Sequence, residues 1–146
     1  MSKTIVLATD HAGFELKEHV KNFLQNKGFN IKDFGALEYD SLDDYPDFII
    51  PAAKHIAEHN LIGIIFGGSG QGEAMAANRI KGIRAAVFYN GPNEIVELSR
   101  MHNNANILSI GARFLSNQEA ESIIELWLST DFEEGRHDKR INKLDS

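Results

Sequence analysis

A doubly wound α/β fold, in which a five-stranded parallel sheet lies between two layers of helices, is predicted by three features of the sequence. Strand-like apolar runs alternate with helical segments along almost the whole chain. The two strongest runs, residues 4–9 and 61–66, are continuously apolar, as strands covered on both faces are. The 146 residues suit one domain with one core, and no linker or internal repeat divides them.

Residues 4–9 form the first strand. In residues 13–27, Phe14, Val20, Phe23 and Leu24 fall near one helical face, and Gly28 stands where a C-cap belongs. Residues 30–34 form a short second strand. Residues 45–58 predict a helix with Pro46 in its first turn, and Pro51 inside it predicts a kink or a later start. Residues 61–66 are the third strand and lead into Gly67-Gly68-Ser69-Gly70-Gln71-Gly72, followed by strong helix formers at 73–78. A fourth strand at 83–88, a helix at 93–101, a fifth strand at 107–110 and a long helix at 117–128 complete the pattern. The tail, 131–146, is charged and lacks a clear apolar face. Right-handed crossovers leave few topologies, of which strand order 2-1-3-4-5 is the simplest. The expectation is one domain over 1–146.

The formal net charge is −6, which argues against a general nucleic-acid or anionic-membrane binder but leaves room for a small anion held by local arginines. With no cysteine there is no disulfide, no thiolate metal site and no cysteine nucleophile. No segment reads as a leader or a membrane span. The expectation is a cytoplasmic protein without nucleic-acid or membrane partners.

In a doubly wound sheet, ligands bind beyond the carboxyl ends of the strands where the order reverses, here between strands one and three. Those strands end in Thr9-Asp10-His11 and in the glycine-rich run. Four glycines around a serine let the backbone approach a ligand, and the helix that follows directs free N–H groups toward it. The run has neither dinucleotide-binding nor P-loop spacing. Glu73, in the first turn of that helix, is either a helix-dipole acid or a general base. Asp10 is either a helix cap or, with His11, a polar pair for hydroxyls, phosphate or a metal. Arg113 follows the fifth strand on the ligand side. His102 lies in a polar loop. His55 and His59 are four apart on a helix, without metalloprotease spacing. Arg136 and Arg140 would share a helical face in the tail, as a solvated terminus or as a phosphate clamp.

Together these segments resemble the ribose-5-phosphate isomerase B family, which includes the galactose-6-phosphate isomerase subunits. The resemblance rests on residues 9–17 (Thr9-Asp10-His11-Ala12-Gly13 and onward), 44–46, 67–73 with 76–78, 82–85, 98–103, 106–113 and 132–137. It implies a three-layer Rossmann-like sandwich and a homodimer, or dimer of dimers, with active sites shared between subunits. The tail, about 131–146, would reach the partner. Many members carry a cysteine base at the first loop position; that position here is Gly67, and Glu73 matches the glutamate base of a second group. The resemblance further implies that Ser69 contacts the substrate near the reacting carbons and that the backbone of Gly70, Gln71 and Gly72 forms an anion hole. It makes His102, helped by Asp10, the ring-opening acid/base, and puts Asn103 near the developing oxyanion. His11, Arg113, Arg136 and Arg140 match a phosphate site, the last two from the partner; His137 has no definite match.

The implied reaction is the interconversion of an aldose phosphate and a ketose phosphate, first of all ribose 5-phosphate and ribulose 5-phosphate. A sugar C–H beside a carbonyl is a weak acid, so its removal needs a positioned base and a hole for negative charge. That chemistry needs no metal and no organic cofactor. The alternatives are an isomerase of a tetrulose 4-phosphate, allose 6-phosphate or galactose 6-phosphate, or a non-catalytic sugar-phosphate-binding module. On Glu73, the helix terminus favours the charged form and burial disfavours it, and the sequence leaves the balance open.

Overall fold

The run Thr4–Thr9 is strand β1, and its side chains divide by parity as a strand requires. Ile5 and Leu7 enter one apolar cluster, and Val6 and Ala8 enter another on the opposite face. A computed structural model describes residues 3–146, so the first two residues of the expected domain lie outside the described part. After β1 come α1 (Phe14–Asn26), β2 (Asn30–Asp33), α2 (Pro46–His59), β3 (Ile62–Gly67) and α3 (Gln71–Ala77). Then follow β4 (Ala85–Phe88), α4 (Asn93–Met101), β5 (Ile107–Gly111), α5 (Asn117–Ser129) and α6 (Arg136–Ile141). Helices α1, α4 and α5 pack on one face through Leu16, Val20, Val96, Ile124 and Trp127; α2 and α3 cover the other through Ile49, Ala53, Ile56 and Ala77.

The five strands are parallel and doubly wound as expected, but their order is 2-1-3-5-4, not 2-1-3-4-5. The difference has a physical cause. Every residue of β5 is buried, so it needs a neighbour on both sides, whereas β4 is short and mostly half-buried, as an edge strand can be. The path from β3 out to β4 carries α3 on one face. The return inward to β5 reverses direction, so a right-handed crossover puts α4 on the other face, against α5. The reversal between β1 and β3 is unaffected.

Several boundaries moved by one or two residues. Helix α2 is unbroken from Pro46 to His59, so Pro51 neither stops it nor delays its start; His55 and His59 lie on its outer side, the latter exposed. The charged tail contains α6, which buries His137. Among the described residues, no helix is long and apolar enough to cross a membrane.

One ion pair lies inside this frame. Lys17 of α1 has no exposed surface, and its Nζ donates to both carboxylate oxygens of Asp33 (2.9 and 2.8 Å) and to the Ala36 carbonyl (2.6 Å). Burial would raise the Asp33 carboxyl, but Lys17, the Gly35 N–H and Lys21 together hold it below its ordinary value. Removing Asp33 leaves the buried ammonium with only the Ala36 carbonyl and the partly exposed Glu18 carboxylate, 3.0 Å away. Asp33→Ala is expected to cost about 3–5 kcal/mol, seen as a lower urea midpoint, while replacing both Lys17 and Asp33 by apolar residues costs far less.

Candidate active site

The glycine-rich loop leaves β3 at its carboxyl end and is pinned to the neighbouring strand. Gly70 has φ +80°, and its carbonyl accepts a 2.6 Å hydrogen bond from Oγ of the buried Ser109 on β5. A side-chain carbon at Gly70 would lie 3.0–3.2 Å from Ile110, Ser109 and Gly111, so a bulkier residue is excluded by space as well as by conformation. Ser69 is half-buried at the loop's tip, where its Oγ accepts from the Gln71 N–H (3.3 Å). Gly72 packs under Tyr45, whose Oη lies 2.9 Å from the place a side-chain carbon would take.

Glu73 is the third residue of α3 and is only 5% exposed. Its carboxyl folds back over Gly67, and a side-chain carbon at Gly67 would overlap all three carboxyl atoms. The space of the missing side chain at the loop's first position is therefore filled by the acid that follows the loop. Burial raises the Glu73 carboxyl above its ordinary value and Asp10 adds to this, while its own backbone N–H and Arg113 partly oppose. Burial thus wins the contest that the sequence left open.

Asp10, His11 and Arg113 meet the loop at this end of the sheet. Asp10 is buried and its Oδ1 accepts from the Ala12 N–H (3.0 Å), so it caps the turn as well as facing Glu73. The Arg113 N–H donates to the Gly68 carbonyl (3.1 Å), and its guanidinium lies 3.0–3.1 Å from where Gly68 would carry a side chain. His11 meets Asp43, from the loop after β2, through two contacts to one oxygen: its N–H at 3.0 Å and its Nδ1 at 2.6 Å. That hydrogen bond is the main cause of a His11 pKa above the ordinary value; desolvation and Arg113 lower it, and the Asp10 and Asp43 charges raise it.

The remaining expected residues lie elsewhere. Helices α4 and α5 run back from the carboxyl ends of the strands, so His102, Asn103 and the tail fall at the opposite edge of the sheet. The Glu133 N–H donates to the Met101 carbonyl (3.0 Å), which ties the tail to that edge. His102 stacks on the buried His137, with centroids 4.4 Å apart and planes 18° from parallel. Glu133 Oε1 lies 3.7 Å from His102 Nε2 and 3.5 Å from His137 Nε2. Asn103 lines a groove of about 340 Å³ with Arg84 and Leu144. Arg136 and Arg140 stand on α6. A strand of five or six residues separates the two sets by roughly 17–20 Å, so Asp10 does not assist His102 within one chain.

The geometry gathers a buried carboxyl, a glycine-rich loop that opens a helix, a histidine and an arginine at one end of the sheet, groups of the kinds that proton transfer on a small anion uses. A model of the family described as ribose/galactose isomerase matches residues 5–144. The chain belongs to that family. It is 38% identical to the probable ribose-5-phosphate isomerase B of Mycoplasma genitalium over 99% of this chain and 95% of that protein. It is 41% identical to ribose-5-phosphate isomerase B of Mycolicibacterium paratuberculosis, over 96% and 88% respectively. The crystal structure of the Mycoplasma genitalium isomerase with bound ribulose 5-phosphate matches with a TM-score of 0.92, covering 99% and 95% of the two chains. That of the Thermotoga maritima isomerase matches at 42% identity and a TM-score of 0.92, covering 99% of each.

Sequence reasoning missed Asp43, Ser109 and Glu133. Asp43 sits in a run of acids that reads as a solvated loop, and Ser109 reads as a strand residue. A serine inside an otherwise apolar buried strand was the one available signal. The tight fit of Glu73 over Gly67 makes a direct prediction: Gly67→Ala displaces the carboxyl, and turnover falls at least about tenfold, as misplacing a catalytic group does, while circular dichroism shows the fold retained.

Proposed function

We propose that this protein interconverts ribose 5-phosphate and ribulose 5-phosphate through an enediolate, with Glu73 carrying the proton between the two carbons. The observation that carries the reading is the buried Glu73 carboxyl, folded over Gly67 and beside the glycine-rich loop. The relatives named ribose-5-phosphate isomerase B, one of them solved with ribulose 5-phosphate, support the choice of sugar. In this reading Ser69 holds the substrate near the reacting carbons, and the N–H groups of Gly70, Gln71 and Gly72 receive the enediolate charge. His11 and Arg113 hold the phosphate. A desolvated carboxylate is a stronger base than one in water, so the burial that raises its pKa also suits it to abstract a carbon-bound proton.

His102, Asn103, Arg136 and Arg140 then serve the site of a second copy. His102 opens the sugar ring, with the partner's Asp10 as its helper, Asn103 approaches the oxyanion, and the two arginines complete the phosphate clamp. The two-ended placement of these residues supports a two-fold dimer, in which each carboxyl-end site meets the other copy's opposite edge. We place the enzyme in the cytoplasm, a reading supported by its lack of cysteine.

Two measurements test this. Glu73 must be ionised to act, and its pKa is raised, so kcat/KM for ribose 5-phosphate rises with pH through a value above the ordinary ~4.3 of glutamate. Glu73→Gln abolishes turnover at every pH but keeps binding; full activity in that variant defeats the assignment, and turnover of only four- or six-carbon phosphates moves the substrate. For shared sites, Glu73→Gln protein mixed with the Arg136→Ala/Arg140→Ala double variant regains about a quarter of wild-type turnover after random exchange. No recovery after verified exchange means that each site is built from one chain.

A further inference from the structure

We propose that Asp43 is a positioning residue that commits His11 to its cationic form, so that the imidazolium, not a neutral imidazole, faces the substrate's phosphate. The inference rests on the reading of His11 as a phosphate ligand and adds the residue that sets its charge. Asp43 Oδ1 accepts from both the His11 backbone N–H (3.0 Å) and Nδ1 (2.6 Å), so ring and backbone are fixed to one oxygen. The Asp43 side chain is 9% exposed, and its other oxygen, Oδ2, is buried without a hydrogen-bond partner. A buried carboxylate oxygen left unpaired is costly, and a cationic neighbour offsets that cost better than a neutral one.

The chemistry follows from the ring's two nitrogens. With Nδ1–H given to Asp43, a neutral ring has only a lone pair at Nε2 and repels a phosphate oxygen; the protonated ring donates from Nε2. Asp43 therefore selects the tautomer and favours the charge together. The charged groups around the ring are Asp10 from the end of β1, Asp43 from the loop after β2 and Arg113 from the turn after β5. The Tyr39 ring stands edge-on at 6.2 Å and adds no charge. Of these, Asp43 contributes most to the raised His11 pKa. The group specified is a dianionic phosphomonoester, which an imidazolium and a guanidinium match in charge.

The test is calorimetric binding of ribulose 5-phosphate and of inorganic phosphate to wild type, Asp43→Asn and His11→Ala, each across pH, with kcat measured beside it. Comparing proteins at one pH removes the ligand's own ionisation. Asp43→Asn keeps a hydrogen-bond acceptor and loses the charge. Near pH 5.5, where either protein has a protonated ring, the two bind within about twofold; near pH 7.5 the variant binds at least about fivefold more weakly, with kcat changed less than about twofold. Asp43→Glu restores part of the affinity. Imidazole nitrogen NMR of the wild type shows both His11 nitrogens protonated above the ordinary ~6.5. Equal affinity of Asp43→Asn and wild type at all pH, or a neutral His11 ring at pH 6.5 in the wild type, overturns the proposal while leaving His11 as a ligand. If His11→Ala binds phosphate as well as wild type, the phosphate-site reading falls and takes this proposal with it.

Discussion

Every functional feature of this chain depends on the burial of its central strands. β1, β3 and β5 are almost wholly enclosed, each by helices on both faces and strands on both sides. Enclosed strands leave no polar surface along their length, so polar side chains and turned backbone gather where the strands stop. Because the strands are parallel, all their carboxyl ends stop at one edge, and the loops after β1, β2, β3 and β5 meet there. Ser109 is the exception that serves the rule: a hydroxyl inside a buried strand, satisfied by the carbonyl of Gly70 and thereby pinning the glycine-rich loop to β5.

The electrostatics of that edge divide between two carboxylates with different duties. Glu73 is desolvated and, among the described residues, has no cation bonded to it, and Arg113 acts on it only at a distance. Asp43 is bonded at short range to an imidazole. The first arrangement raises the carboxyl's own proton affinity, and the second raises that of the neighbour. Both stand at the carboxyl-end edge of the sheet, so one edge holds a carboxyl of raised proton affinity and a histidine of raised proton affinity together.

Much of this was legible in the sequence, for reasons that differ by element. The continuous apolar runs of β1 and β3 announce strands with both faces covered, and the glycine-rich run announces a ligand turn, because each is a local pattern with one good physical explanation. The order of β4 and β5 was not legible from pattern alone, since both read as strands. It follows from which one is buried along its whole length, β5, and which is left half-buried at the edge, β4, a difference that the residue types of the two runs do not announce. The tail helix was obscured because its one buried residue, His137, is polar and packs on another histidine instead of on the apolar core. The separation of Asp10 from His102 is a consequence of helix direction, invisible to any reading that collects residues without placing them at an end of the sheet. Asp43 was hidden by its acidic neighbours, since nothing local distinguishes it from Asp40 or Asp44.

The fit of Glu73 over Gly67 also constrains how such a site changes over generations. Any side chain arising at residue 67 would meet the carboxyl already occupying that space. Residues 67 and 73 are therefore tied to each other: a larger residue at the first is tolerated only together with a smaller one at the second.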